Sequence, residues 1–269
     1  MNTSHRIAYL GVLAIAFALT GCGKSEQTAA SNVATAAAQP EPSSTTKPAE
    51  PKKLANGNTE REQGSIQVDA GQGMQSLRSM ATVIDPKLGE KTAARLGSAE
   101  GQKKLADANE SVPSSMGVSG APKVTTSDVQ DMANRFAGRT VYSSQAMHAE
   151  IINGYSIELD ARSSTNPGVR MSINLVVSDA DLTLKSAKLE YYPDASKQMQ
   201  SYVKKKMALS DITLDKLERK DENTFAVSGS FNTTDLLPGV LAKELKGQTL
   251  ASISGRFDFS EVPIRKMGK

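Results

Sequence analysis

The chain has no tryptophan, one cysteine and two histidines in 269 residues, and aromatic residues make up only 4% of it. Each shortage removes a class of function. Sparse aromatics leave few faces on which bases or sugars could stack. One cysteine cannot close an internal disulfide, and a Cys/His zinc site needs more ligands than this chain supplies. His5 lies in the basic start of the chain, so a mechanism that needs an imidazole has His148 to use. Charge of one sign is lacking too. The 32 Lys and Arg nearly match the 29 Asp and Glu, a formal +3, which is no electrostatic footprint for nucleic acid. There is no Walker A run, no Gly-x-Ser-x-Gly, no His-Glu-x-x-His and no paired-cysteine metal motif. These absences assign no catalytic residue, no metal ligand and no cofactor, and they weigh against an enzyme.

What is present begins at the amino terminus. Met1 to Arg6 is a short basic start, Ile7 to Leu19 is apolar, and Leu19-Thr20-Gly21-Cys22 follows. A charged start, an apolar run of this length and small residues before a junction form a secretory signal. The run is too short to span a hydrocarbon core of about 30 Å. The junction resembles the bacterial lipobox, on residues 1–22 of the chain. The resemblance implies cleavage between Gly21 and Cys22, a diacylglycerol thioether on Cys22, and acylation, such as palmitate, of the new amino terminus. Lipidation would consume a thiol that is a liability in an oxidising compartment. Acyl chains gain about 0.8 kcal/mol per buried methylene, and two or more chains anchor stably where one is marginal. Gly23, rather than Asp, follows the cysteine. By resemblance to enteric lipoproteins this implies the inner leaflet of the outer membrane, facing the periplasm. Loss of Arg6 with the signal takes the net charge from +3 to +2.

Residues 22–64 carry the lipidated Cys and then a tether rich in Ala, Ser, Thr and Pro. Such a composition buries too little apolar surface to offset chain entropy, so it is expected to be disordered. About 40 flexible residues have a typical span of about 35 Å. Residues 65–138 read as a small helical part. Met74, Leu77, Ala81, Ile84 and Leu88 recur at three- and four-residue steps, predicting a helix over 70–84 with Asp69 as its cap. Shorter helices follow up to Leu96, from Ser98, and from Ser127 to Phe136. Residues 140–153 read as a helix stopped at Asn153-Gly154, with a strand turning there as the competing reading.

Residues 139–269 read as an α+β domain. Tyr155 to Arg162 and Val169 to Val177 alternate strictly, which marks half-buried antiparallel strands. A third strand runs from Leu182 to Tyr191, with a bulge near Lys185-Ser186. A helix is predicted after Pro193, two strands over 212–219 and 224–231, a helix capped by Thr234 or Asp235, and a last strand over 250–259. The predicted fold class is α+β: a helical N-terminal part followed by an antiparallel sheet of about six strands with helices packed on one face.

Few groups of residues invite chemistry. Asp179 and Asp181 read as turn residues, His148 has no partner nearby in sequence, and Lys204-Lys205-Lys206 reads first as a solvated helix face, with contact to anionic lipid headgroups as the competing reading. The expected function is therefore binding. It is a lipid-anchored, periplasm-facing lipoprotein whose partner is another protein, in its sharpest form an inhibitor or immunity-type protein against a toxin effector or cell-wall hydrolase. A lipid or small-ligand carrier, or an envelope-assembly accessory, is the alternative. The membrane is a partner through the Cys22 anchor, and the protein interface is unknown. Labelled palmitate should enter the wild-type chain and not Cys22→Ser, which should also lose stable membrane association. Equal association of the two proteins would overturn the lipobox reading.

Overall fold

The computed structural model describes residues 50–116, 123–166, 168–193 and 200–265. Residues 1–49, which hold the expected signal peptide, Gly21, Cys22 and most of the expected tether, lie outside the described residues. The chain divides into two compact units, Met1–Thr59 with Val83–Thr140, and Glu60–Thr82 with Val141–Lys269.

The first unit holds a two-residue strand, β1 (Lys52–Lys53), and three helices, α1 (Leu88–Leu96), α2 (Ala99–Met116) and α3 (Thr126–Phe136). Leu96, Leu105 and Val129 form its buried apolar centre. Helix α3 is capped by Thr125, whose hydroxyl accepts from the Asp128 N–H while the Asp128 carboxylate accepts from the Thr125 N–H. The cap lies two residues before Ser127, where the sequence puts the start of this helix. Ahead of α1, Asp85 accepts from the Lys87 N–H at 2.9 Å and sits 2.5 Å from Lys91. Lys91 holds the Asp85 carboxyl below its ordinary range, and the Lys87 N–H adds to this.

The second unit is a sheet. Its strands are β2 (Thr59–Asp69), β3 (Met74–Val83), β4 (Thr140–Tyr142), β5 (Gln145–Ala149), β6 (Gly154–Ser163), β7 (Arg170–Ser178), β8 (Leu184–Tyr192), β9 (Tyr202–Lys204), β10 (Ile212–Asp221), β11 (Thr224–Pro238) and β12 (Leu250–Arg265). Strand β12 pairs with β11 and β2, β2 with β3, β3 with β6, and β6 with β7. From there β7 pairs with β8, β8 with β9 and β9 with β11, so the ladder returns to its start. Closing a sheet in this way leaves fewer unpaired edges of the kind that invite aggregation. Strand β10 lies along β11, and β5 bridges β6 and β12. Ile66, Leu77, Ile157, Leu159, Ile173, Leu175, Leu189, Phe225, Leu236 and Phe259, all fully buried, belong to one continuous core. Each such side chain contributes about 1.5–3 kcal/mol by leaving water.

Three glycines let this sheet coil. Gly229 lies directly across from Phe257, Gly255 from Phe231, and Gly64 from Phe259. A Cβ at Gly255 would sit 2.6 Å from the Phe231 ring and 2.1 Å from the Gln67 carbonyl oxygen. At Gly229 and Gly64 it would meet the facing ring at 2.8 and 2.7 Å. Each phenyl ring covers the bare backbone opposite it, a known way of rescuing glycine within a strand.

The expectation of a helical N-terminal part followed by about six strands is overturned. Among the described residues there are twelve strands and three α-helices, and two long strands precede the helices. The region predicted as a helix over 70–84 is β3. Leu77, Ser79 and Ala81 all point into the interior, and the polar Ser79 disguises the alternation. Asp69 caps no helix. It accepts from the N–H groups of Gly71 and Gly73, which turn the chain at φ +85° and +89°. Ordered backbone also begins earlier than residue 65, with β2 starting at Thr59. Residues 140–153 form β4, β5 and a single 3-10 turn, so the strand reading was the right one there. The helix predicted after Pro193 gives way to β9 over 202–204, while its residues 194–199 lie outside the described residues. The helix predicted from Thr234 is the end of β11, held by Leu236↔Leu250 and Leu237↔Val203, with one 3-10 turn at Lys243–Leu245. Long-range pairing overrode a local helical spacing in each case. The strands over 154–163, 170–178, 212–221 and 224 onward stand where the alternation puts them. The β8 bulge is at Lys185, where Val176 and Val177 face Ser186 and Leu184.

The sheet is pinned by a fully buried amide. Gln63 Oε1 accepts from the N–H groups of Ser143 and Ser144 at 3.0 and 3.1 Å. Its Nε2 donates to the carbonyls of Ser144 and Glu261 at 3.0 and 3.1 Å. The Glu261 carbonyl sits at a bulge, since β12 carries one extra residue between its partners for Phe225 and Val227. The buried Ser144 hydroxyl bonds Ser79 at 2.7 Å and both backbone groups of Asp160. Removing the amide strands several buried donors and acceptors, each costing about 1–3 kcal/mol. Gln63→Leu should lower the unfolding free energy in denaturant titration by about 3 kcal/mol or more. A loss under about 1 kcal/mol would show that the network does not carry the junction.

Candidate functional site

The candidates named from sequence fall in different places. Cys22 and Gly21 are outside the described residues. His148 and Asp179, far apart in sequence, come together. His148 is on β5 directly across from Tyr155 on β6, and Asp179 follows β7. His148 Nε2 is 3.4 Å from Asp179 Oδ2, with both side chains about two-fifths exposed. The His148 and Tyr155 rings meet edge to face at 5.0 Å, and Tyr155 meets Phe225 in the same way at 5.0 Å. The Arg219 guanidinium lies 5.8 Å from the centre of the Tyr155 ring. Burial pushes the Tyr155 phenol up; Arg219 works against this and Asp179 adds to it. Asp181 stands apart from the histidine. It accepts from the Thr183 N–H at 3.1 Å, and hydrogen bonds from Thr183 hold its carboxyl low. Among the described residues no three His, Cys, Asp or Glu side chains gather as metal ligands do.

Next to this cluster the chain between β5 and β6 makes a tight turn. Glu150–Ile152 is one turn of 3-10 helix, and Asn153 follows in the left-handed region at φ 46°. The Asn153 N–H donates to the Glu150 carbonyl, and Lys185 Nζ donates to the carbonyls of Ile152 and Asn153, both at 3.1 Å. At the tip, Ile151 is 100% exposed, with Met147 also exposed nearby on β5. The sequence hid this group. His148 finds its carboxylate across two strands, and Ile151 looks like a core residue of the expected helix.

A second polar group lies on the sheet face that points away from the core. Asp160, Arg162, Arg170, Glu190 and Tyr192 occupy neighbouring positions on β6, β7 and β8. Arg170 stacks over the Tyr192 ring at 4.1 Å, and the Tyr192 hydroxyl donates to Glu190 at 2.8 Å. Asp160 is buried, with Arg162 Nε 3.5 Å away. Burial pushes the Asp160 carboxyl up, Arg162 and Arg170 pull it part of the way back, and Glu190 adds to the rise. Lys204, Lys205 and Lys206 lie on β9 and the turn after it, not on a helix.

No protein-family model, no curated protein and no solved structure matches this chain.

The raised Asp160 carboxyl carries a pH signature. The folded chain holds the proton to higher pH than the unfolded chain does, so folding takes one up just above the usual carboxylate range. Asp160 therefore favours folding below its unfolded pKa, and this contribution is lost as pH rises through the folded one. Urea titrations from pH 3.5 upward should show the wild type losing stability relative to Asp160→Asn as pH increases. Parallel curves would refute this.

Proposed function

We propose that the protein is a lipid-anchored, periplasm-facing binding protein that recognises another protein through the turn between β5 and β6. The observation that carries the reading is Ile151, fully exposed at the tip of a turn held by Lys185 and by the left-handed Asn153. An apolar side chain held in water on a rigid, convex turn has little ordering entropy left to lose when a cleft receives it. On the adjoining strands, His148 and Asp179 are partly exposed and Arg219 is exposed, with the Tyr155 ring buried between His148 and Arg219. An arginine near an apolar anchor is among the usual makings of an interface hot spot.

The shape suits an inhibitor or immunity-type protein, which blocks the cleft of a toxin or cell-wall hydrolase by inserting a turn. The anchor expected at Cys22 would raise its concentration near the envelope, and the tether would let the turn search outward. Mature wild-type protein and Ile151→Asp should be compared as baits in envelope extracts of the native host. The wild type should retain one stoichiometric partner and the variant at least about ten-fold less, as expected for losing a hot-spot anchor. Equal retention by the two baits, or no partner on either, would overturn the reading.

A further inference from the structure

We infer that the loop Leu237-Pro238-Gly239-Val240-Leu241 is a second membrane contact, which dips into the interface of an anionic phospholipid bilayer independently of the acyl anchor. Leu237 is 59% exposed, Val240 90% and Leu241 59%. Three large apolar side chains within five residues form a patch, not the scattered exposure usual on a soluble surface.

The loop is built to keep them out. Leu236 before it and Ala242 after it are buried, so the ends are tied to the protein. Between them, the Gly239 N–H donates to the Ser201 carbonyl at 2.7 Å, and the Ala242 N–H donates back to Gly239 at 2.9 Å. A Cβ at Gly239 would lie 2.1 Å from Ser201 Oγ, so a larger residue there would force the serine hydroxyl to turn away. Pro238 has no N–H that insertion would have to desolvate.

The surrounding charge names the occupant. Lys204, which donates to the Thr234 carbonyl at 2.7 Å, stands beside the base of the loop, and Lys205 and Lys206 follow it. Lys243 and Lys246 are exposed just past Leu241. The carboxylates of these two segments are Asp235 and Glu244, and Glu244 accepts from Gln200. An apolar tip with lysines behind it fits a surface that is apolar within and anionic at its face, where each lysine adds about a five-fold gain in binding.

The test uses the mature lipidated protein, in which Cys22 is blocked by its thioether and an introduced thiol is the sole one. An environment-sensitive dye on Val240→Cys should shift to the blue on phosphatidylcholine vesicles containing phosphatidylglycerol, and nitroxide-labelled lipids should quench it. The same dye on Glu222→Cys, in the turn at the other end of β11, should stay in water although the same anchor holds it. Lys243→Gln with Lys246→Gln should weaken insertion roughly twenty-five-fold, and added salt should weaken it too. A Val240 probe that stays in water, that responds equally on neutral vesicles, or that shifts only when another protein is added would each overturn the inference.

Discussion

The second unit depends on one buried side chain doing what a strand cannot. Where β12 bulges and the chain turns from β4 into β5, the ladder leaves backbone groups without partners. Gln63 answers with both ends of its amide, and Ser144 passes the connection on to Ser79 and Asp160. A buried amide that makes only part of its bonds is worse than an apolar residue, whereas a fully bonded one specifies a single arrangement. Beside it, Arg61 and Glu261 form a two-pronged ion pair between β2 and β12, with the Arg61 guanidinium 6.0 Å from the Tyr142 ring centre. This junction gathers β2, β3, β6 and β12 around the segment that leads into β5. The closed path of strands therefore passes through it.

The glycine and phenylalanine pairs serve the same closure from the apolar side. Strands that must coil tightly need places without a Cβ, but each glycine removes buried surface. Facing rings restore that surface at Gly229, Gly255 and Gly64, so curvature and burial are met by the same pairs. The pattern is visible in sequence only to a reader who already knows the register, because the partners lie on different strands.

That limit explains what could be read from the chain. Strands β6 and β7 were legible because each has one face in the core and one outside it, giving an unbroken period of two. Strand β3 was not, because the interior needs a hydroxyl at Ser79 to reach Ser144, and a polar residue at an inward position erases the alternation. The end of β11 was misread because Leu237, Val240 and Leu241 have helical spacing while two of the three sit on no strand. Their exposure also leaves a helix there without an apolar face to bury. Of the site, His148 and Asp179 were noticed singly. What joins them is the register of β5 on β6 and the connection between β7 and β8, information that lives between segments and not within any one of them.

Strand β8 sets a direction for the second unit. Leu184, at one end, lies across from Val177 beside the His148 cluster, and Tyr191, near the other, lies across from Tyr202, which itself faces Pro238. Seven steps of extended chain separate those two positions, about 23 Å. A body that rested on Val240, as inferred above, would carry the His148 cluster at the far end of that strand from the contact.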